Sequence, residues 1–162
     1  RGAHIHAELA GYGHTSDAFH DTVPSGEGAI RAIRIALGKA NLEPEDVDYV
    51  NAHGTSTIVG DGVELDAQTE VFGKHLKKIS VSSTKSATGH MLGAAGAVEA
   101  IFCIKAIEDG IVPPTLNLRH PIRKGLDLVK RQAKQREVNV AMSNSIGFGG
   151  IITVLIFKKY TF

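Results

Sequence analysis

The chain reads as an α/β layered protein built around a mostly parallel five-stranded sheet with helices on its faces, and three features of its 162 residues predict this. Apolar runs of strand length alternate with segments of helical spacing in the order βαβαβαββ. Three of the strands run into polar, glycine-rich loops, as in sheets whose ligand loops gather at the strands' carboxyl ends. The length fits one domain, and 43% hydrophobic with 22% charged residues is enough to fill a core.

Ile5, Ala7 and Leu9 alternate with His4, His6 and Glu8, which predicts a strand with one buried face, His4 and His6 turned to solvent, and an end at Gly11-Tyr12-Gly13. After the Pro24-Ser25-Gly26 turn, Ile30, Ile33, Leu37 and Ala40 recur at helical spacing, with Arg31, Arg34 and Lys39 between them. A short apolar strand at 47–50 follows Glu43-Pro44. Asp61, with Glu64 three residues on, reads as a variant capping box opening a helix whose stripe is Val63, Ala67 and Val71. Ile79-Ser80-Val81 predicts the third strand. The Ala- and Ile-rich run 93–108 predicts a buried helix, with Gly110 at its C-cap and Gly93 and Gly96 permitting close packing. Strands at 138–142 and 151–157 close the chain.

Lys+Arg 18 against Asp+Glu 17 leaves a net charge of +1, which argues against disorder and against binding driven by bulk charge. The longest apolar run, 151–157, falls far short of the ~20 residues a membrane helix needs, so a soluble chain without a signal peptide is expected. The start at Arg1 inside a strand-like segment suggests a piece of something larger. One cysteine, Cys103, excludes an intramolecular disulfide; in the run Ala100-Ile101-Phe102-Cys103-Ile104 it reads as a buried structural thiol. Seven Lys/Arg against Asp127 between Arg119 and Arg136 read as a solvated surface in preference to a docking patch for an acidic partner. No aromatic residues interleave them, so nucleic acid is not expected.

The three loops are Asn51-Ala52-His53-Gly54-Thr55-Ser56-Thr57, Ser82-Ser83-Thr84-Lys85-Ser86-Ala87-Thr88-Gly89-His90, and Ser143-Asn144-Ser145-Ile146-Gly147-Phe148-Gly149-Gly150, and they are expected to converge on one pocket. Two neutral imidazoles, His53 and His90, aiming N–H donors at one oxygen would stabilise an enolate or oxyanion, and the Lys85 ammonium would add field. The histidines lack H-E-x-x-H or other zinc spacing, so no metal is expected, and Walker A and complete G-x-G-x-x-G patterns are missing.

These loops, in this order and over nearly all of the chain, resemble the C-terminal half of the β-ketoacyl-acyl-carrier-protein synthases, condensing enzymes of thiolase-like fold. Residues 51–57 resemble the first histidine motif, 82–96 the Lys/His motif and 144–150 the last glycine motif; Asn51, Ser56 and Ala87-Thr88 favour the type II elongation enzymes of fatty-acid synthesis over polyketide synthases. The resemblance implies that residues 1–162 form the C-terminal domain of such a synthase and that the half bearing the nucleophilic cysteine is absent. It implies a decarboxylative Claisen condensation of malonyl-carrier protein with an acyl group, inactive in this chain alone. His53 and His90 would hold the malonyl thioester oxygen, Lys85 with Glu99 as indirect partner would orient and charge the site, and Thr55 and Thr57 would contact phosphopantetheine. Phe148 would gate the acyl pocket and lend its N–H to the oxyanion hole, with Gly147 and Gly149 allowing close backbone approach. No cofactor is implied beyond the phosphopantetheine that arrives on the acyl-carrier protein. The implied setting is a homodimer, off the membrane, in bacterial cytoplasm or in a mitochondrial or plastid matrix. Ile151-Ile152 stand where the family usually has Thr-Asn. The alternative is a non-catalytic relic or split subunit that binds acyl-carrier protein.

Overall fold

A computed structural model describes residues 2–161. Its principal elements are β1 (Glu8–Ser16), α1 (Glu27–Ala40), β2 (Tyr49–Asn51), α2 (Ile58–Phe72), β3 (Ser80–Ser82), α3 (Lys85–Thr88), α4 (Ala95–Asp109), β4 (Ile111–Val112), β5 (Asp127–Leu128), β6 (Lys134–Gln135), β7 (Val140–Ile146) and β8 (Ile151–Lys158). Six strands form the main sheet in the order β1-β8-β7-β2-β3-β5, and β4 pairs with β6 apart from it. The α/β class and the predicted element order hold, with six strands in place of five. Three pairings are parallel (β7 with β2, β2 with β3, β3 with β5), whereas β8 runs antiparallel to both its neighbours. The extra strand is the two-residue β5, whose Asp127 lies inside the basic stretch.

Both faces of the sheet are covered, which explains the near-continuous apolar runs of β7 and β8. Val50, Val140, Met142, Ile152, Val154 and Ile156 pack with residues of α1 and α2 on one face. Tyr49, Ala141 and Phe157 join Cys103, Ala106 and Ile107 of α4 on the other. Side chains alternate across each strand, so one strand feeds both layers.

The first strand departs from its expected position. Ile5 and Leu9 are exposed rather than buried, and β1 runs through the glycines expected to end it. Its buried positions are Gly11, Gly13 and Thr15, following a register shift between Leu9 and Gly11. The reason is contact with α1: a Cβ on Gly13 would lie 1.9 Å from the Ala32 carbonyl oxygen, and one on Gly11 2.3 Å from that of Ala36. These glycines are the absence of side chains under a helix, not turn residues.

Gly110 caps α4 in the left-handed conformation, as expected. Of the two glycines expected to tighten that helix only Gly96 does so, where a Cβ would come within 3.2 Å of Ser145 Oγ; Gly93 precedes the helix and faces open space. No helix among the described residues is long and apolar enough to cross a membrane.

Candidate active site

The parallel strands β2 and β3 end side by side, so the loops that follow them start together. Asn51 and Thr84 exchange side-chain hydrogen bonds, and the Ser83 hydroxyl donates to the Gly54 carbonyl at 2.8 Å. The approach is so close that a Cβ on Gly54 would lie 2.7 Å from that of Ser83.

The backbone carrying His53 is held from beneath. Glu64, buried in α2, accepts the His53 N–H through Oε1 and the Gly54 N–H through Oε2, both at 2.9 Å, and also the Asn144 side-chain amide at 3.1 Å. This corrects the capping-box reading: α2 begins at Ile58 after Thr57, Asp61 accepts the Ser56 N–H at 3.1 Å, and Glu64 reaches back past the helix start into the loop that joins β2 to α2, and across to Asn144 of β7. Burial raises the carboxyl pKa of Glu64 above its usual value, and the hydrogen bonds from Gly54, Asn144 and His53 oppose that rise.

In the second loop α3 carries Lys85, and Gly89 at φ +73 turns the chain toward His90. The ring of His90 lies 5.4 Å from that of His53, nearly perpendicular to it. His90 Nδ1 accepts the Leu92 backbone N–H at 3.1 Å, so the neutral ring carries its proton on Nε2, free to donate outward. Burial, then the positive charge of Lys85 and the electrostatic effect of His90, bring the pKa of His53 down to about 3, so that at neutral pH it is an uncharged imidazole. Its Nδ1 is buried and has no partner among the described residues. The expected pair of histidines is therefore present as a geometry, with His53 uncharged.

Lys85 Nζ donates directly to Glu99 Oε1 of α4, with both side chains almost fully buried. The partnership expected to be indirect is a contact. Burial raises the pKa of Glu99, and Lys85 opposes the rise.

An open cleft of about 640 Å³ runs along this end of the sheet, lined by Gly54, Thr55, Thr57, Lys85, Ser86 and His90 on one side and by Leu118, Arg119, His120 and Ile122 on the other. Thr55 and Thr57 sit in its wall, with their hydroxyls 3.4 Å apart. The third loop is absent from the lining. Gly147, Phe148 and Gly149 do not line it, Phe148 is 80% exposed, and the stretch meets the site through Asn144, whose amide donates to Glu64. It is closed by the Gly147 N–H donating to the Ile151 carbonyl at 2.7 Å and by the Gly149 N–H donating to that of Asp21 at 2.8 Å, so Ile151 serves there through its backbone while Ile152 enters the core. Cys103 is fully buried, its thiol donates to the Met142 carbonyl at 3.7 Å, and burial drives its pKa far up; it is no nucleophile.

The description "Beta-ketoacyl synthase, C-terminal domain" matches residues 6–119, about seven-tenths of the chain and both histidine loops. The chain belongs to the β-ketoacyl synthase family. It is 56% identical to 3-oxoacyl-[acyl-carrier-protein] synthase 2 of Rhizobium meliloti (strain 1021), covering 99% of this chain and 39% of that protein. Its fold superposes on the ishigamide ketosynthase/chain length factor with a TM-score of 0.94 at 42% identity, covering 99% of this chain and 40% of that one. A type II polyketide ketosynthase solved in complex with its acyl-carrier protein, AntDE:AntF, gives a TM-score of 0.92 at 38% identity with the same coverage. The chain thus spans about two-fifths of the length of the synthases it matches. The Glu64 clamp, missed in the sequence because its spacing mimics a helix cap, ties the first histidine motif to Asn144.

Proposed function

We propose that this chain is the C-terminal half of a 3-oxoacyl-[acyl-carrier-protein] synthase, residues 1–162 forming one domain that supplies the decarboxylating side of the site. The observation that carries this reading is the perpendicular pair of rings, His53 and His90, beside the buried Lys85–Glu99 pair, with His90, Lys85, Thr55 and Thr57 lining the cleft. Malonyl thioester enters along the cleft with its phosphopantetheine arm against the two threonines. The bond from Cα to the carboxylate breaks and carbon dioxide leaves. The electron pair moves through Cα onto the thioester oxygen, where the N–H groups of His53 and His90 meet the negative charge. The enolate carbon then attacks the carbonyl of an acyl thioester, and the C–S bond breaks to release the thiolate of a cysteine that these 162 residues do not supply, since Cys103 is buried. Phe148 borders the acyl side and lends its backbone N–H, Lys85 charges the site through its contact with Glu99, and phosphopantetheine on the carrier is the only prosthetic group needed. The working form is a homodimer in bacterial cytoplasm or an organelle matrix.

In the whole synthase, His53→Ala or His90→Ala is expected to slow malonyl-carrier-protein decarboxylation by on the order of 10²–10³, with the KM for carrier little changed; an unchanged rate would overturn the assignment. The 162-residue chain alone is expected to form no β-ketoacyl product, and any turnover contradicts its being half a site.

A second reading, a non-catalytic module that binds carrier protein, draws on the basic stretch. Arg123, Lys134 and Arg136 are engaged by the chain's own Asp66, Asp127 and Asp48, but Arg119, Lys124, Lys130 and Arg131 make no ion pair among the described residues. Carrier binding by the chain alone that weakens with added salt would support it; binding indifferent to salt would remove it.

A further inference from the structure

Away from the cleft, a second group of ligating side chains converges that the condensation does not use. His4 and His6 are two residues apart, which places both rings on one side of an extended segment. Both are well exposed, as the sequence predicted, yet they do not simply face solvent. Their rings lie 4.6 Å apart, and both reach Glu108 Oε1, His4 through Nε2 at 3.2 Å and His6 through Nδ1 at 2.5 Å. The three donor atoms all lie within 4.8 Å of one another, the one such grouping of His, Cys, Asp and Glu among the described residues.

We propose that His4, His6 and Glu108 form a surface site for a borderline divalent transition ion, zinc first. Two imidazole nitrogens and one carboxylate oxygen are the donor set such ions take, at about 2.0–2.2 Å each, with the remaining positions open to water. Ligands of one such ion stand roughly 3–4 Å apart, a spacing the exposed imidazoles reach by small rotations. The placement of Glu108 helps in two ways. It sits in the last turn of α4, where the helix dipole favours a cation. Its other oxygen, Oε2, is occupied by Lys105 Nζ at 3.1 Å, which turns Oε1 toward the histidines. A bound ion would fasten the segment preceding β1 to the end of α4, joining parts of the chain 102 and 104 residues apart in sequence.

The test is a titration of the 162-residue chain with zinc chloride, following imidazole nitrogen resonances by NMR together with calorimetry. The expected result is that His4 and His6 shift together, saturating at one equivalent. His4→Gln/His6→Gln or Glu108→Gln should weaken that event by at least roughly tenfold, the scale on which even outer-shell changes act. His14→Gln/His120→Gln should leave it intact, and Lys105→Met, which removes a competing cation, should tighten it. Zinc that moves only other histidines, or a one-equivalent event that survives the double variant, overturns the proposal. Failure here leaves the condensation reading untouched, since neither histidine faces the cleft.

Discussion

The His53 loop and the Phe148 loop both follow strands of the same sheet, yet they are held in opposite ways. Beneath the first lies a buried carboxylate that takes two successive backbone N–H groups and a side-chain amide. The second projects an 80% exposed aromatic ring and is closed by backbone hydrogen bonds to residues of its own turn and of the segment after β1. The first is therefore pre-organised to present an uncharged imidazole at one position, while the second leaves its side chain unpacked in solvent. Stabilising a developing charge needs the former; admitting and covering a chain needs the latter.

The sharpest way to break this contrast is Glu64→Ala. Stranding the His53 and Gly54 N–H groups at about 1–3 kcal/mol each is expected to cost about 3–5 kcal/mol of stability, seen as a lower urea midpoint with an unchanged slope. A loss under about 1 kcal/mol would mean that the clamp is not what fixes the loop. Gly150→Ala should come next. Gly150 has φ +76, and a Cβ there would lie 1.9 Å from Asp17 Oδ1 and 2.9 Å from the Ala18 nitrogen. A loss of about 1–3 kcal/mol is expected by the same measurement. Phe148→Ala should be the mildest, within about 0.5 kcal/mol, because the ring is already in water; its effect belongs in the acyl-transfer rate of the whole synthase.

The same two loops differ in how far the sequence foretold them. His53, Lys85 and His90 were legible because each follows an apolar strand within a polar, glycine-rich stretch, and parallel strands bring such loops to one end. The partners beneath them were less so. Glu64, three residues from Asp61, has the spacing of a helix cap, and no local pattern distinguishes a carboxylate that caps its own helix from one buried under a neighbouring loop. Gly11 and Gly13 carried the same ambiguity, reading as a turn when the requirement was the close approach of α1. Strand β5 could not be seen at all, since two residues amid lysines and arginines carry no periodicity. The third loop was expected in the pocket; its motif was readable, but its position depends on where the segment 17–21 holds Gly149 and Gly150, a long-range contact.

The most direct test of the pre-organised histidine pair is an NMR titration of the imidazole nitrogens of His53 and His90. With its pKa displaced from 6.5 to about 3, folded His53 binds fewer protons than the unfolded chain between those values. It therefore adds stability that is fully present above pH 6.5 and is lost as pH falls toward 3. The expected result is a His53 ring that stays neutral down to about pH 3, beside a His90 whose neutral tautomer carries its proton on Nε2. A His53 that titrates near 6.5, or a His90 carrying its proton on Nδ1, would contradict the arrangement.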